Sequence, residues 1–298
     1  MMTILGDDVA SRPAPLSIAA GVYPPQEDSA LLVDALCATG RVSDSRVADL
    51  CSGSGVVALA AAEQGAASVP AFELSRRAVA CARANAAAAG LAVTVHRGLW
   101  SRAIEFEPYD IVTCNPPYVP FCDDADDRPI SADAGPQLAR NAGRDGRQVL
   151  HPLCRHARDL LADGGTMLIV QSEFADVDRT VRDLRSTGLR AEVVAEERIP
   201  FGPVMTARAH WLEREGLLAA GRREERIAVV RADRDYSHVR WCPHQGSSLG
   251  PADYWTHLLS WSRCVLRLPA HTRCTKAVPY RHRAGIPDRS RGISVEYT

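Results

Sequence analysis

An α/β fold is predicted: a Rossmann-like, seven-stranded mixed sheet, its last strand antiparallel, flanked by helices. Three observations predict it. From residue 21 to about 234, short β-type runs alternate with helix-type runs, the order of a doubly wound sheet. A glycine-rich loop, Cys51-Ser-Gly-Ser-Gly55, joins the first such run to a helix. Near the end, two strand-like runs flank a long connection, as in an antiparallel end to an otherwise parallel sheet.

The elements follow in order. A helix should begin near Ser29 and stop at Gly40, because SALLVDALCAT is apolar at helical spacing and glycine ends it. Strands are expected at 46–50 (RVADL), 68–73 (SVPAFE), 93–97 (VTVHR), 110–115 (DIVTCN) and 166–171 (TMLIVQ). The run after Ser75 is helical, with serine as N-cap and Gly90 as its stop. Another helix is expected from about Arg147 to Leu161, ending at Asp163-Gly164-Gly165. The last two strands are 189–200 (LRAEVVAEERIP) and 224–233 (EERIAVVRAD).

Composition narrows the class. With 46% hydrophobic and 24% charged residues, the 298-residue chain is an ordinary globular protein. No apolar stretch approaches the roughly 20 residues that span a bilayer, and Asp7 and Asp8 stand where a signal peptide would be basic. The expected setting is cytoplasmic, with no membrane partner. Of the nine cysteines, Cys37, Cys51, Cys81 and Cys114 sit among apolar residues and read as buried free thiols. Lys276 is the only lysine. Arginine richness therefore reflects a composition bias and is no evidence for nucleic-acid binding.

Beyond residue 234 the texture changes. Residues 1–234 carry a net charge of about −6, and the last 64 residues about +5 with five of the nine histidines. The chain divides into an N-terminal segment (1–20), a domain (21–234) and a basic, poorly ordered tail (235–298). The tail's Cys242-Pro-His244, His257, Cys264, His271 and Cys274 have no Cys-x-x-Cys spacing and no second half of a Rieske box, so no metal site is expected.

Chemistry concentrates at two corners. In the first, Asp49 precedes the glycine loop, whose turn brings backbone close to a ligand at a helix N-terminus. Gly53-Ser-Gly55-Val-Val-Ala58 also satisfies the dinucleotide fingerprint, with Glu73 placed for ribose hydroxyls. By itself the loop suits an NAD enzyme almost as well as a methyltransferase. The second corner, Asn115-Pro-Pro-Tyr118, ends the fourth strand. Its prolines rule out both ladder and helix, so the corner is rigid. It holds out the Asn115 side-chain carbonyl and the Pro116 backbone carbonyl, two acceptors suited to a planar NH₂ group, beside the flat face of Tyr118. Hydride transfer has no evident use for such a corner.

Together, Asp49 to Gly55, Glu73 and Asn115 to Tyr118 resemble the successive motifs of class I S-adenosylmethionine-dependent methyltransferases that act on nitrogen. With the upstream VYPPQEDSALL (22–32), the chain resembles the HemK family of glutamine methyltransferases, in its short branch, over residues 20 to 234. The resemblance implies S-adenosyl-L-methionine as cofactor. It implies that Asp49, Cys51, Gly53 and Gly55 border the cofactor's methionine end and that Glu73 binds its ribose. Gln26, Asp28 and Ser29 would close the pocket, with Asn115 touching both ligands. Asn115, Pro116 and Tyr118 would be catalytic. The family's acid for the adenine amine is missing, and Leu99 stands in its place, so adenine would rest on backbone groups and on Leu99 or Trp100.

The acceptor expected is a glutamine amide of a protein such as a release factor. The alternative is an exocyclic amine of a DNA or RNA base, disfavoured by the acidic balance of 1–234. An NAD oxidoreductase and a non-catalytic subunit are the rivals from other classes. Only about 20 residues precede the Tyr-Pro-Pro segment, so substrate docking falls to the acidic loop at 120–146, the 189–213 region, the tail or a small activating subunit.

Overall fold

The structure, a computed structural model, describes residues 16–106, 108–121, 130 and 135–236. Seven strands form one sheet in the order β3-β2-β1-β4-β5-β7-β6. They are β1 (Val47–Leu50), β2 (Val69–Glu73), β3 (Val93–Arg97), β4 (Tyr109–Cys114), β5 (Leu161–Ser172), β6 (Arg190–Pro200) and β7 (Glu224–Asp233). The first five run parallel. β7 is antiparallel to both neighbours. It lies between β5 and β6, so the last of the described strands is internal and β6 takes the edge.

Among the described residues six α-helices accompany the sheet: α1 (Glu27–Ala38), α2 (Val56–Glu63), α3 (Arg76–Ala89), α4 (Leu150–Leu160), α5 (Val177–Ser186) and α6 (Pro203–Arg214). The parallel strands read as apolar runs because both faces are covered. Alternate residues go to opposite sides. Val47, Ile111, Leu168 and Val170 join a core with Leu32, Leu36, Val57 and Val79 of α1, α2 and α3. Leu50, Val112, Met167 and Ile169 join a second core with Leu150, Leu153, Val181 and Leu184 of α4 and α5. Each fully buried Leu or Ile contributes about 1.5–3 kcal/mol through removal from water.

Most expected elements stand within a few residues of their places. Ser75 caps α3 by accepting from the Ala78 N–H, and Gly90 ends it in the left-handed region. The helix expected from about Arg147 to Leu161 spans Leu150–Leu160, and it stops there because Leu161 already pairs with Tyr109 and opens β5, so Asp163-Gly164-Gly165 lie inside that strand. A register shift follows between Tyr109 and Ile111. Gly165 fits there because a Cβ would come within 2.9 Å of the Tyr109 carbonyl oxygen. The patterning did not single out α5 and α6. Cys81 and Cys114 are buried thiols, but Cys37 and Cys51 are only half-buried, a correction to their reading as interior residues.

The direction of the strands positions the site. Leu50 pairs with both Phe72 and Cys114, and Glu73 pairs with Arg97. The loops after β1, β2, β3 and β4 therefore leave the same edge of the sheet. The chain turns outward from β1 to β2 and returns to β4, so a crevice opens where the strand order reverses, the usual ligand position in open α/β sheets.

Candidate active site

At this crevice lies a cavity of about 720 Å³, within the usual size of small-molecule sites. Asp49, Cys51, Gly53 and Glu73 line it, as do Leu99 and Trp100. So do Asp28 and Ser29 from α1, and Asn115, Pro116 and Tyr118 from the corner. Two expected residues stand apart. Gln26 is the N-cap position of α1 and its Oε1 lies 3.9 Å from where a Cβ on Gly202 would be. Gly55 packs α2 onto α3: with φ of 87°, a Cβ there would come 3.1 Å from that of Ala82.

The glycine loop is braced from below. The Glu73 carboxylate accepts from the Gly53 N–H at 2.9 Å and from the Ser75 N–H at 2.7 Å. Cys51 adopts φ of 56° and Gly53 φ of 53°, and nothing lies within 4 Å of a Cβ placed on Gly53. That open space is where a ligand can approach the backbone.

Asp49 is 1% exposed. Its Oδ1 accepts from Thr113 Oγ1 at 2.8 Å, across the β1–β4 pairing, while Oδ2 has no hydrogen-bond partner. Burial pushes its carboxyl up to about 7, against the opposing pull of the Thr113 hydroxyl and the backbone at Ala58. The Ser52 hydroxyl is also buried without a partner. An orphaned buried carboxyl oxygen is costly unless a ligand satisfies it. A donor-bearing cation is what it would accept, and the further acids Asp28 and Glu73 line the same cavity. A dinucleotide diphosphate would face unfavourable charge here. The donor set thus fits the cationic methionine end of S-adenosyl-L-methionine. At the other end, Leu74 and Leu99 are 39% and 58% exposed and line the cavity with Trp100, apolar surface suited to an adenine ring.

The corner is tied to α1. Asn115 Nδ2 donates to Asp28 Oδ2 at 3.1 Å and to Ser29 Oγ at 3.3 Å, and the Tyr118 hydroxyl donates to Asp28 Oδ2 at 2.9 Å. Burial, and then the Asp28 charge, hold the Tyr118 phenol well above its ordinary range, so it stays a neutral donor. From beneath, Gly146 (φ of 69°) leaves no room for a side chain, since a Cβ would collide with the Tyr118 carbonyl oxygen.

Residues 122–129 and 131–134 of the acidic loop lie outside the described residues. Both of its ends are pinned. Val119 and Asn141 form a parallel bridge. The fully buried Arg208 of α6 donates to the Pro120 carbonyl at 3.0 Å and to Asn141 Oδ1 at 2.5 Å. Pro136, Leu138 and Asn141 reach the cavity. Sequence reasoning missed Thr113, Ser52 and Asn141. Thr113 was readable as a hydroxyl two residues before Asn115, but its partner needed the β1–β4 register. Asn141 carries no local signal. Among the described residues no group of three or more His, Cys, Asp or Glu could hold a metal, and no helix is long and apolar enough to cross a membrane. The tail's cysteines and histidines fall outside the described residues.

A family model described as the methyltransferase small domain matches residues 20–127. The release factor glutamine methyltransferase of Mycolicibacterium smegmatis is 31% identical over 200 residues, covering 65% of this chain and 69% of that one. Its counterpart in Xylella fastidiosa is 36% identical over 193 residues, covering 61% and 68%. The chain belongs to the release factor glutamine methyltransferase family. It is also 36% identical to the family's Deinococcus radiodurans member, of which it covers 63%. The match thus spans about two thirds of these relatives' length. Among solved structures, the Mtq2–Trm112 complex of E. cuniculi is 21% identical with a TM-score of 0.48, over 72% of this chain and 99% of that one. A likeness of that size carries no functional argument.

Proposed function

We propose that this chain is an N-methyltransferase that uses S-adenosyl-L-methionine to methylate a glutamine side-chain amide in a protein of the release-factor type. The observation that carries the reading is that the Asn-Pro-Pro-Tyr corner and the acid-lined glycine loop open on one cavity. The names of the relatives support the same acceptor.

When bound, the cofactor supplies an electrophilic methyl group on a sulfonium. Asp49 and Ser52 would hold its methionine end, Glu73 its ribose, and Leu74, Leu99 and Trp100 its adenine. The remaining task is to make a poor nucleophile react. An amide nitrogen shares its lone pair with the neighbouring carbonyl, and attack requires that pair to localise. The Asn115 side-chain carbonyl and the Pro116 backbone carbonyl each accept one N–H of the acceptor. Those hydrogen bonds strengthen as positive charge builds on nitrogen, so they favour the transition state over the ground state. The prolines hold both acceptors still, which supplies rate through orientation. Tyr118, fixed by Asp28, offers its ring to the amide plane.

The test is methyl transfer from labelled S-adenosyl-L-methionine into cell extract, split by protease and by nuclease. The reading expects label that protease releases and nuclease does not. Label removed only by nuclease favours the base-amine acceptor and overturns the glutamine reading.

A further inference from the structure

Asp28 carries four hydrogen bonds although it is only 3% exposed. Its Oδ1 accepts from the Ser29 N–H at 2.6 Å and the Ser29 hydroxyl at 3.2 Å, and its Oδ2 accepts from Asn115 Nδ2 and Tyr118. No described residue donates to Asn115 Oδ1. We propose that Asp28 is the positioning residue of the acceptor site: its carboxylate decides which end of the Asn115 carboxamide faces the nitrogen to be methylated.

The two ends of a carboxamide have nearly the same shape, so packing alone does not choose between them. Charge does. An ionised carboxylate only accepts hydrogen bonds, so the Asn115 NH₂ must face Asp28 and the carbonyl oxygen must be the end left over. Turned the other way, Asn115 Oδ1 would meet Asp28 Oδ2 at hydrogen-bond distance, two acceptors in a buried setting. The turned state would also present NH₂ to the nitrogen end of the acceptor amide, which has only N–H to offer. Its N–H would then go unpaired where pairing is meant to localise the lone pair. Ser29 adds a weaker selection, because its hydroxyl donates to Asp28 and so keeps its lone pairs toward Asn115 Nδ2. The same Asp28 oxygen holds the Tyr118 hydroxyl, so one carboxylate sets both polar groups of the corner. Asp28 thereby acts through Asn115, a role beyond the expectation that it closes the cofactor pocket. The inference rests on the reading that Asn115 orients the acceptor nitrogen.

The experiment compares full-length wild type, Asp28→Asn, Asn115→Asp and the double swap Asp28→Asn/Asn115→Asp. It measures turnover on the labelled protein fraction, cofactor Kd by calorimetry, and melting temperature. Asp28→Asn should lower kcat by roughly 10-fold or more, the scale of one charge-assisted hydrogen bond, with cofactor Kd within about 3-fold. Asn115→Asp sets two carboxylates together and should lose at least as much. The double swap places a donor at 28 and an acceptor-only group at 115, again leaving an oxygen for the substrate. It should recover about 10-fold over Asn115→Asp. Recovery with an unchanged Kd is not expected of a residue that only stabilises the fold or only binds cofactor. The inference is overturned if Asp28→Asn turns over within 2-fold of wild type, if its loss lies wholly in cofactor Kd, or if the swap recovers nothing. If wild type itself transfers no methyl, the proposed function fails, and the inference is then read by NMR. The Asn115 side-chain NH₂ signals, identified by their loss in Asn115→Ala, should exchange slowly with solvent in wild type and at least about 10-fold faster in Asp28→Ala. Equal exchange overturns it.

Discussion

Asp49 and Asn115 stand at opposite ends of the chemistry and should fail in different ways. Asn115→Ala removes one acceptor that matters most in the transition state, so turnover should fall about 100-fold while S-adenosyl-L-methionine binds within a few-fold of wild type. Steady-state kinetics beside calorimetry separates the two. Asp49 should make cofactor binding depend on pH. Its folded pKa of about 7 lies above its ordinary value of 3.8, so burial favours the protonated carboxyl. That group's contribution to stability is full below about pH 4 and is lost as pH rises through about 7. A cation at Oδ2 favours the ionised form instead. Affinity should therefore rise as pH passes through about 7, with proton release on binding, seen as a buffer-dependent heat in calorimetry. Asp49→Asn should abolish that release. A wild-type heat that does not vary with buffer would speak against Asp49 as the cation's partner.

At the scale of elements, the ends of the strands, the loops that leave them and the start of α1 make the site, and the sequence showed this unevenly. The glycine loop, the Ser75 cap and the Asn-Pro-Pro-Tyr corner were legible because each is a local device, a turn, a cap or a rigid bend. The brace of Glu73 under Gly53, the Thr113–Asp49 bond and the tie from Asp28 to Asn115 were not. Each joins residues on separate elements, and only strand register or tertiary packing brings them together. The position of β7 between β5 and β6 was hidden for the same reason: patterning reports a strand's faces but not its neighbours. One element-scale prediction follows from the support beneath the corner. Gly146→Ala must push the Tyr118 carbonyl aside and also strains a left-handed backbone. It should cost about 1–3 kcal/mol in urea unfolding. Because the displaced oxygen belongs to Tyr118, turnover should drop more than cofactor affinity.

For the whole molecule, the cavity residues that the structure describes lie within residues 21–149. Arg234 donates to the Leu161 carbonyl at 2.6 Å and Asp235 pairs with Arg190 at 2.8 Å, so contacts of the domain run slightly past the boundary near 234. A chain cut after Tyr236 should keep its fold and bind S-adenosyl-L-methionine, since every described cavity residue precedes the cut. If the basic tail shields the acidic domain or recruits an acidic substrate, the cut chain should differ from the full one at low salt and match it at high salt. Exposed charges are screened over about 8 Å at physiological ionic strength. Melting temperature, affinity and methyl transfer at two salt concentrations check both points. Insolubility of the cut chain would place the tail inside the fold.

The central claim is that methyl is placed on a side-chain amide nitrogen, and acid hydrolysis of the labelled protein reads it most directly. An N-methylated glutamine amide is cleaved to glutamate and methylamine. A methyl group on a lysine or arginine nitrogen stays with the amino acid, and a methyl ester leaves as methanol. The account predicts that wild-type enzyme yields labelled methylamine and that Asn115→Ala yields almost none. Label recovered on an intact amino acid, or as methanol, would contradict it.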